Sequence, residues 1–519
     1  MKKTITALTA ATLFFAASPS YAQVIDDAGA AKLQNIIQEQ IDYADKVYGN
    51  IPSMKLKHEG EVSVTQHDGY YQVVLPEYAL EMEHPTNAAD KLLVDFGQMV
   101  MNVVPEGDDA LNMSVAMPMP ILGKDSTGQE VFQLNIGQQK AHALYVPSIS
   151  ATPKYSFSYQ DVKMAMPAAG ITLTINDLSG MMNLEPDASG YYSGPSKFSA
   201  NMLKIDSFSE QEGNFFVGIG DIVLTGTSEA FDLAGMTQFQ KEMGEADMEN
   251  MTAEESAAYA NSIVTLMLEA ANGMDTDFSL KDMTVNFQPV GRDAVSFSIK
   301  DTGFGFGLNG MRGENISVRL SGNLNGLSIP GIQADFQQYI PTLIDYKMNV
   351  TNMPMKGLLS LLSTALQPDA RGAEGLNMAA IQQMLSEAGT KYTLENHAVD
   401  MPALGTSLKG EAVADNTAMF GFTAQFFGRL RNLNEMLAES QAKAQELPPM
   451  MQQALMPLML VQQLGKPGTD EKTGQSVLTY DFVVSREGKM LVNGQDAMMM
   501  MMGGGQQPPQ QQPMQQQAP

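Results

Sequence analysis

The sequence predicts an α+β fold: elongated antiparallel β-meander units, each followed by Met- and Leu-rich helices, in a tandem, repeat-like order. Three observations lead there. Apolar and polar residues alternate through much of the chain, the period of a strand with one covered face. One block of strand sequence recurs at a near-constant offset. Helical patterns follow each block, as expected for antiparallel sheets joined through helices.

The first 22 residues read as a cleavable signal peptide. Lys2 and Lys3 form a positive segment, Ile5 to Ala17 an apolar one, and Ser20-Tyr21-Ala22 places small residues at the cleavage positions. Cleavage after Ala22 would leave a chain starting at Gln23 in the periplasm, or secreted beyond it. The apolar stretch is shorter than the ~20 residues a spanning helix needs, and no later run is long enough. No transmembrane segment is therefore expected in the mature chain.

Residues 23–150 are expected to be a helix followed by a β region. Leu33, Ile36, Ile37, Ile41, Ala44 and Val47 recur at three- and four-residue steps, one stripe of a helix. From Glu61 the period changes to two, with Val62 and Val64 before a turn at Asp68-Gly69 and Tyr71, Val73 and Leu75 after it. Further short strands are expected to about Ile149.

The middle of the chain repeats. Phe157-Ser158-Tyr159-Gln160-Asp161 is echoed by Phe278-Ser279-Leu280-Lys281-Asp282, 121 residues on, and the segment Ile171 to Asp177 by Val295 to Asp301, 124 residues on. A fainter third copy starts at Tyr392-Thr393-Leu394-Glu395-Asn396. The units expected are 151–275, 276–390 and a partial third, 391–496. Thr252-Ala253-Glu254-Glu255 is a capping box opening a helix that Gly273 ends. Leu358 to Leu366 and Ala379 to Leu385 are helical in the second unit. In the third, Phe426, Phe427, Leu430, Leu433 and Leu437 read as one helical stripe, helix continues from Leu447 to Leu464, and strands resume from Val477 to Val492. Residues 497–519 form a Met/Gln/Pro tail with too little apolar surface to offset the entropy of ordering.

Composition narrows the partners. The 58 acidic residues face 31 basic ones, and removal of Lys2 and Lys3 leaves 31 − 2 = 29, a mature charge of −29. Such a balance repels nucleic acid, and no nucleic-acid partner is expected. The chain has no cysteine, hence no residue to acylate and no disulfide.

No catalytic motif survives inspection. Gly305-Phe306-Gly307-Leu308-Asn309-Gly310 matches a dinucleotide-loop pattern, but Ile316, Val318 and Leu320 continue as a strand where a helix is required, so these glycines are expected in turns and bulges. Ser440-Gln441-Ala442-Lys443 with Lys472-Thr473-Gly474 lacks the spacing of a penicillin-binding serine site. His58, His67, His84, His142 and His397 are isolated, without zinc-ligand spacing. Asp108-Asp109 and Glu185-Pro186-Asp187 lack the alternating carboxylates of a calcium loop. The 40 methionines, including Met117-Pro118-Met119, Met353-Pro354-Met355 and Met498 to Met502, could suit Cu(I). Most lie beside Leu and Ile, where methionine fills gaps in a core. No catalytic, cofactor-binding or metal-ligating residue is assigned, no cofactor is expected, and the ligand-binding residues are not identified.

The segment Ile171 to Gly180 with Gly190-Tyr191-Tyr192-Ser193-Gly194, and Leu478 to Phe482 with Gly488 to Gly494, resemble exported alphaproteobacterial proteins grouped under the domain of unknown function 2125, and more loosely YdgA-like proteins. The resemblance covers most of residues 24–495 and brings no catalytic residue. It implies a β-rich envelope protein, distantly like the AsmA group of lipid-handling proteins, which carry a membrane anchor. The function expected is non-catalytic: binding an apolar or amphipathic partner, a lipid or another envelope protein such as an outer-membrane protein. The alternatives are an envelope scaffold and, behind it, a copper binder or a hydrolase.

Overall fold

A computed structural model of the chain describes residues 25–49, 54–84, 87–107, 109–245, 269–365, 378–442, 461–470 and 474–497, with positions 252, 259, 262, 266, 458 and 459. The expected signal segment, most of the helix after Thr252, the stretch around 448–457 and residues 498–519 lie outside the described residues. The chain forms two compact units that divide between Leu343 and Ile344.

In the first unit α1 (Asp27–Gly49) precedes an antiparallel meander of β1 (Met54–Glu59), β2 (Ser63–His67), β3 (Tyr70–His84), β4 (Asn87–Pro105), β5 (Leu111–Ala116), β6 (Ile121–Asp125), β7 (Glu130–Val146), β8 (Ala151–Met166) and β9 (Ile171–Asn183). It continues through β10 (Glu185–Pro186), β11 (Tyr192–Ser209), β12 (Gly213–Phe231), α2 (Leu233–Glu245), β13 (Gly273–Pro289), β14 (Val295–Asn309), β15 (Ile316–Asn325) and a short α3 (Ala334–Gln337). From β7 onward, each long strand pairs with the long strand before it. The expected turn at Asp68-Gly69 joins β2 to β3, with His67 opposite Tyr70 and Gly69 at φ 87°, where a side chain would be strained.

The helical stripe expected at the N-terminus is buried. Leu33, Ile36, Ile37 and Ile41 pack on Val62, Tyr71, Val73, Met101, Val103, Met113 and Tyr145, so α1 covers one sheet face at the meander's start. The Asp26 carboxylate accepts a hydrogen bond from the Gly29 N–H at 2.7 Å and caps the helix.

The strands are longer than the short ones expected, β4 and β12 reaching 19 residues each. The cause is a break of phase inside them. On β8 the apolar set is Phe157 and Tyr159, then Val162, Met164 and Met166; strict alternation would put the two groups on opposite faces. Yet Phe157, Tyr159 and Val162 pack in one cluster. The break is Asp161, held in the left-handed region at φ 54°. Met202 on β11 and Asp282 on β13 do the same at φ 54° and 51°. A scan for period two splits each such strand in half.

The second unit contains β16 (Leu343–Met353), α4 (Met355–Ala365), α5 (Met378–Glu387), β17 (Lys391–Asp400), β18 (Gly405–Ala414), β19 (Phe422–Arg431), α6 (Leu433–Ala442), β20 (Lys466–Thr469), β21 (Ser476–Val484), β22 (Met490–Val492) and β23 (Gln495–Asp496). β17, β18, β19, β21 and β22 pair in succession. Leu433 and Leu437 of α6 pack on Leu478, Tyr480 and Val492.

The stripe expected from Phe426 to Leu437 is corrected here. Phe426, Phe427 and Leu430 belong to β19, and only Leu433 and Leu437 are helical. Phe422, Ala424, Phe426, Gly428 and Leu430 lie two apart on one face of the strand. Asn432, at φ 62°, then turns the chain into α6, donating its N–H to the Ser476 carbonyl. This alternation at steps of two, with phenylalanines at 422 and 426, favours the strand over a helix of the same composition.

Candidate functional site: an uncharged sheet face

The first unit concentrates its unusual chemistry on one face of the meander. One directly opposed row runs Tyr71, Val103, Met113, Ala143, Tyr155, Met182, Ser196, Gly226, Thr276, Phe306, Leu320, crossing from the core under α1 to β15 without a charged residue. The next row is Phe157, Gly180, Phe198, Leu224, Phe278, Phe304, Gly322. Beyond the break of phase come Met164, Leu173, Ile205, Val217, Val285 and Phe297, then Met166, Ile171, Ser207, Phe215, Phe287 and Val295.

Between these sets, on the opposite face, lies a polar ladder. Gln138, Gln160, Asp177, Asn201, Asp221, Lys281, Asp301 and Asn325 stand opposite one another across consecutive strands. Asn201 Nδ2 donates to Asp221 Oδ1 at 2.7 Å, and Asn323 Nδ2 to Asp301 Oδ2 at 2.8 Å. The charges of this region face the same way. Arg319 on β15 reaches across β14 to Asp275 Oδ1 and Oδ2 on β13, at 2.6 and 3.0 Å, and to Asp277 Oδ1 at 3.0 Å.

The glycines expected in turns and bulges explain that reach. Gly305 and Gly307 lie inside β14, directly under the Arg319 side chain, and only Gly310, at φ 77°, is in a turn. A Cβ on Gly305 would stand 2.3 Å from Asp277 Oδ1 and 2.8 Å from Arg319 Nη1. The glycine pattern makes room for an ion pair spanning three strands.

Cover on the apolar face is uneven. Leu178 and Ala200 are 7% and 3% exposed, whereas Leu224, Phe278, Phe287 and Phe304 are 39%, 37%, 40% and 48% exposed. Among the described residues no helix packs against β11 to β14 with more than glancing contact. Strands lie about 4.8 Å apart and same-face residues about 6.7 Å, so four strands and the four rows named above make an uncharged footprint of roughly 500 Å². Burial raises the Tyr155 and Tyr159 hydroxyls above the usual tyrosine range, keeping them neutral there. Phe157 lies over Gly180, where a Cβ would meet its ring at 2.3 Å, and Phe157 and Phe198 are tilted at 6.5 Å between centroids.

Comparison with protein-family models, curated proteins and solved structures returns no match.

The residues weighed for chemistry in the sequence do not converge. His58 Nε2 meets Asp45 Oδ2 at 3.0 Å, His67 stacks on Tyr70 at 4.9 Å, His142 Nδ1 meets Ser114 Oγ at 2.8 Å, and His397 stands opposite Leu408. The His84 and Ser440 side chains, with Lys443, Lys472 and Thr473, are outside the described residues. Asp187 accepts the N–H groups of Ser189 and Tyr191 and closes a turn. Met101, Met113 and Met311 are buried, whereas Met181, Met202, Met274, Met378 and Met419 are exposed. Met498 to Met502, and Asp108, lie outside the described residues. A cleft of 760 Å³ between Phe208, Glu210, Asn214, Gln288, Val290 and Arg292 opens at the tips of two hairpins, and its Asn214 and Gln288 lie on the charged side of the sheet.

The apolar face could have been found in part from sequence. Leu224 and Phe304 each continue an alternating run in their strands. What hid the face was the phase break, which assigns half of every run to the wrong side.

Proposed function

We propose that the chain is a non-catalytic protein of the bacterial envelope that binds an apolar or amphipathic partner, a lipid or an outer-membrane protein, on the uncharged face of its first unit. The single observation behind this reading is the row Leu224, Phe278, Phe304, aromatic and aliphatic, more than a third exposed and adjoining no charge on its own face. Such a surface gains about 25 cal/mol for each Å² removed from water. Its side chains offer desolvation and little else: they hold no acid, base or nucleophile pair to move a proton. Export belongs to the same proposal and rests on the Lys2 to Ala22 pattern; kinship with the domain of unknown function 2125 belongs to it as well and rests on the segments Ile171 to Gly194 and Leu478 to Gly494.

The test is mass spectrometry of organic extracts from native protein purified without detergent. Lipid at a fixed ratio to protein supports the reading. Lipid-free protein that also captures no envelope protein leaves only a scaffold role.

A further inference from the structure

We infer that the cleft at the hairpin tips of the first unit is a binding site for a neutral saccharide, separate from the apolar face and independent of it. Register brings its residues together. Phe208 on β11 stands opposite Asn214 on β12, and Asn214 opposite Gln288 on β13, so an aromatic ring and two carboxamides share one rank on the polar side of the sheet. The next rank on that side is Asp206, Phe216 and Asn286. Two turns hold the first rank at the mouth of the cleft. In one the Glu212 N–H donates to Ser209 Oγ at 3.2 Å, and in the other the Arg292 N–H donates to the Pro289 carbonyl at 3.3 Å. Gly213, at φ 105°, lets β12 begin hard against β13, because a Cβ there would collide with the Gln288 carbonyl.

The groups in the cleft select the ligand by what they offer. A sugar ring has a flat face of C–H groups and an edge of hydroxyls, each of which both donates and accepts. Phe208, 60% exposed, presents a bare ring on the polar side, and covering it gains about 25 cal/mol for each Å² removed from water. Asn214 and Gln288, with Cβ atoms about 5 Å apart, each carry an acceptor oxygen and a donor NH2. That pairing matches two neighbouring hydroxyls. Anionic ligands meet the wrong balance, since Glu210 and Asp293 line the cleft against one guanidinium, Arg292, in a chain with 58 acidic and 31 basic residues. An extended peptide would need an open strand edge, and β11, β12 and β13 are each paired on both sides. The cleft volume, 760 Å³, is that of a small-ligand site, for which about 300–1,000 Å³ is usual.

Binding of the full chain to a printed array of neutral, phosphorylated and carboxylated glycans tests this. Signal is expected on neutral glycans. Phe208→Ala should weaken it about tenfold, and Phe208→Tyr, which keeps the ring, should retain it. Gln288→Ala replaces the Phe208→Ala variant if the latter loses its sheet signal in circular dichroism. No signal on neutral glycans, or signal unmoved by either substitution, overturns the inference. Signal confined to phosphorylated or carboxylated glycans and lost with Arg292→Gln would make the cleft an anion site and overturns it as well.

Discussion

Asp161 and Asp282, 282 − 161 = 121 residues apart, hold the same left-handed backbone, at φ 54° and 51°, and each lays its side chain against a glycine of the preceding long strand in the sheet, Gly137 and Gly220. They are the last residues of the two repeated sequence blocks. The repeat therefore marks the place where each strand changes phase, so that apolar residues on both sides of it reach the same face.

This arrangement predicts opposite results for two substitutions at one position. Asp161→Gly or Asp282→Gly should leave stability within about 0.5 kcal/mol or raise it, because glycine adopts the left-handed region freely. Asp161→Val or Asp282→Val should cost about 1–2 kcal/mol. Denaturant melts compare them, and equal costs for Gly and Val would count against the backbone explanation.

The ion pair over Gly305 yields a second prediction. Gly305→Ala must displace Asp277, Ser321 or Arg319, so it should destabilise by about 1–3 kcal/mol. With Arg319→Ala in place that penalty should fall, because one obstructing group has gone. Additive costs in the double-mutant cycle would show that the two residues are not coupled.

Acid stability should depend on Glu81. Hydrogen bonds from Lys57 and Lys91 hold its carboxyl at about 2, below the ordinary 4.5. A carboxyl lowered on folding stabilises above the unfolded value and loses that contribution as pH falls toward the folded one. Glu81→Gln should therefore flatten the stability profile between about pH 4.5 and 2. An unchanged profile would assign acid sensitivity to other groups.

Packing under α1 is testable by truncation. Leu33, 1% exposed at the centre of the cluster, should cost about 2–5 kcal/mol when replaced by alanine. A loss below about 1 kcal/mol would mean that the helix contributes little to the unit's stability.

Much of this fold could be read from the residues alone. The stripe of α1, the turn at Asp68-Gly69, the strand from Ile316 and the strand from Val477 follow from periods of 3.6 and 2. Strand length did not follow, because a left-handed residue at Asp161, Met202 or Asp282 interrupts alternation without ending the strand. Phe426 to Leu430 misled for a related reason: apolar residues at steps of one, three and four suit a helix stripe and a two-sided strand equally. The candidate face was the least legible part. It exists only in the register between strands distant in sequence, such as Leu224 opposite Phe278.

The chain has no tryptophan, so one placed on the face reports from that position alone. The most direct test of the binding surface is fluorescence of the Phe278→Trp variant with phosphatidylcholine vesicles whose acyl chains carry bromine, a contact quencher. The account predicts a blue shift and strong quenching for Phe278→Trp, and neither for Phe216→Trp on the charged side of the same sheet. Equal quenching at both positions, or at neither, would contradict it.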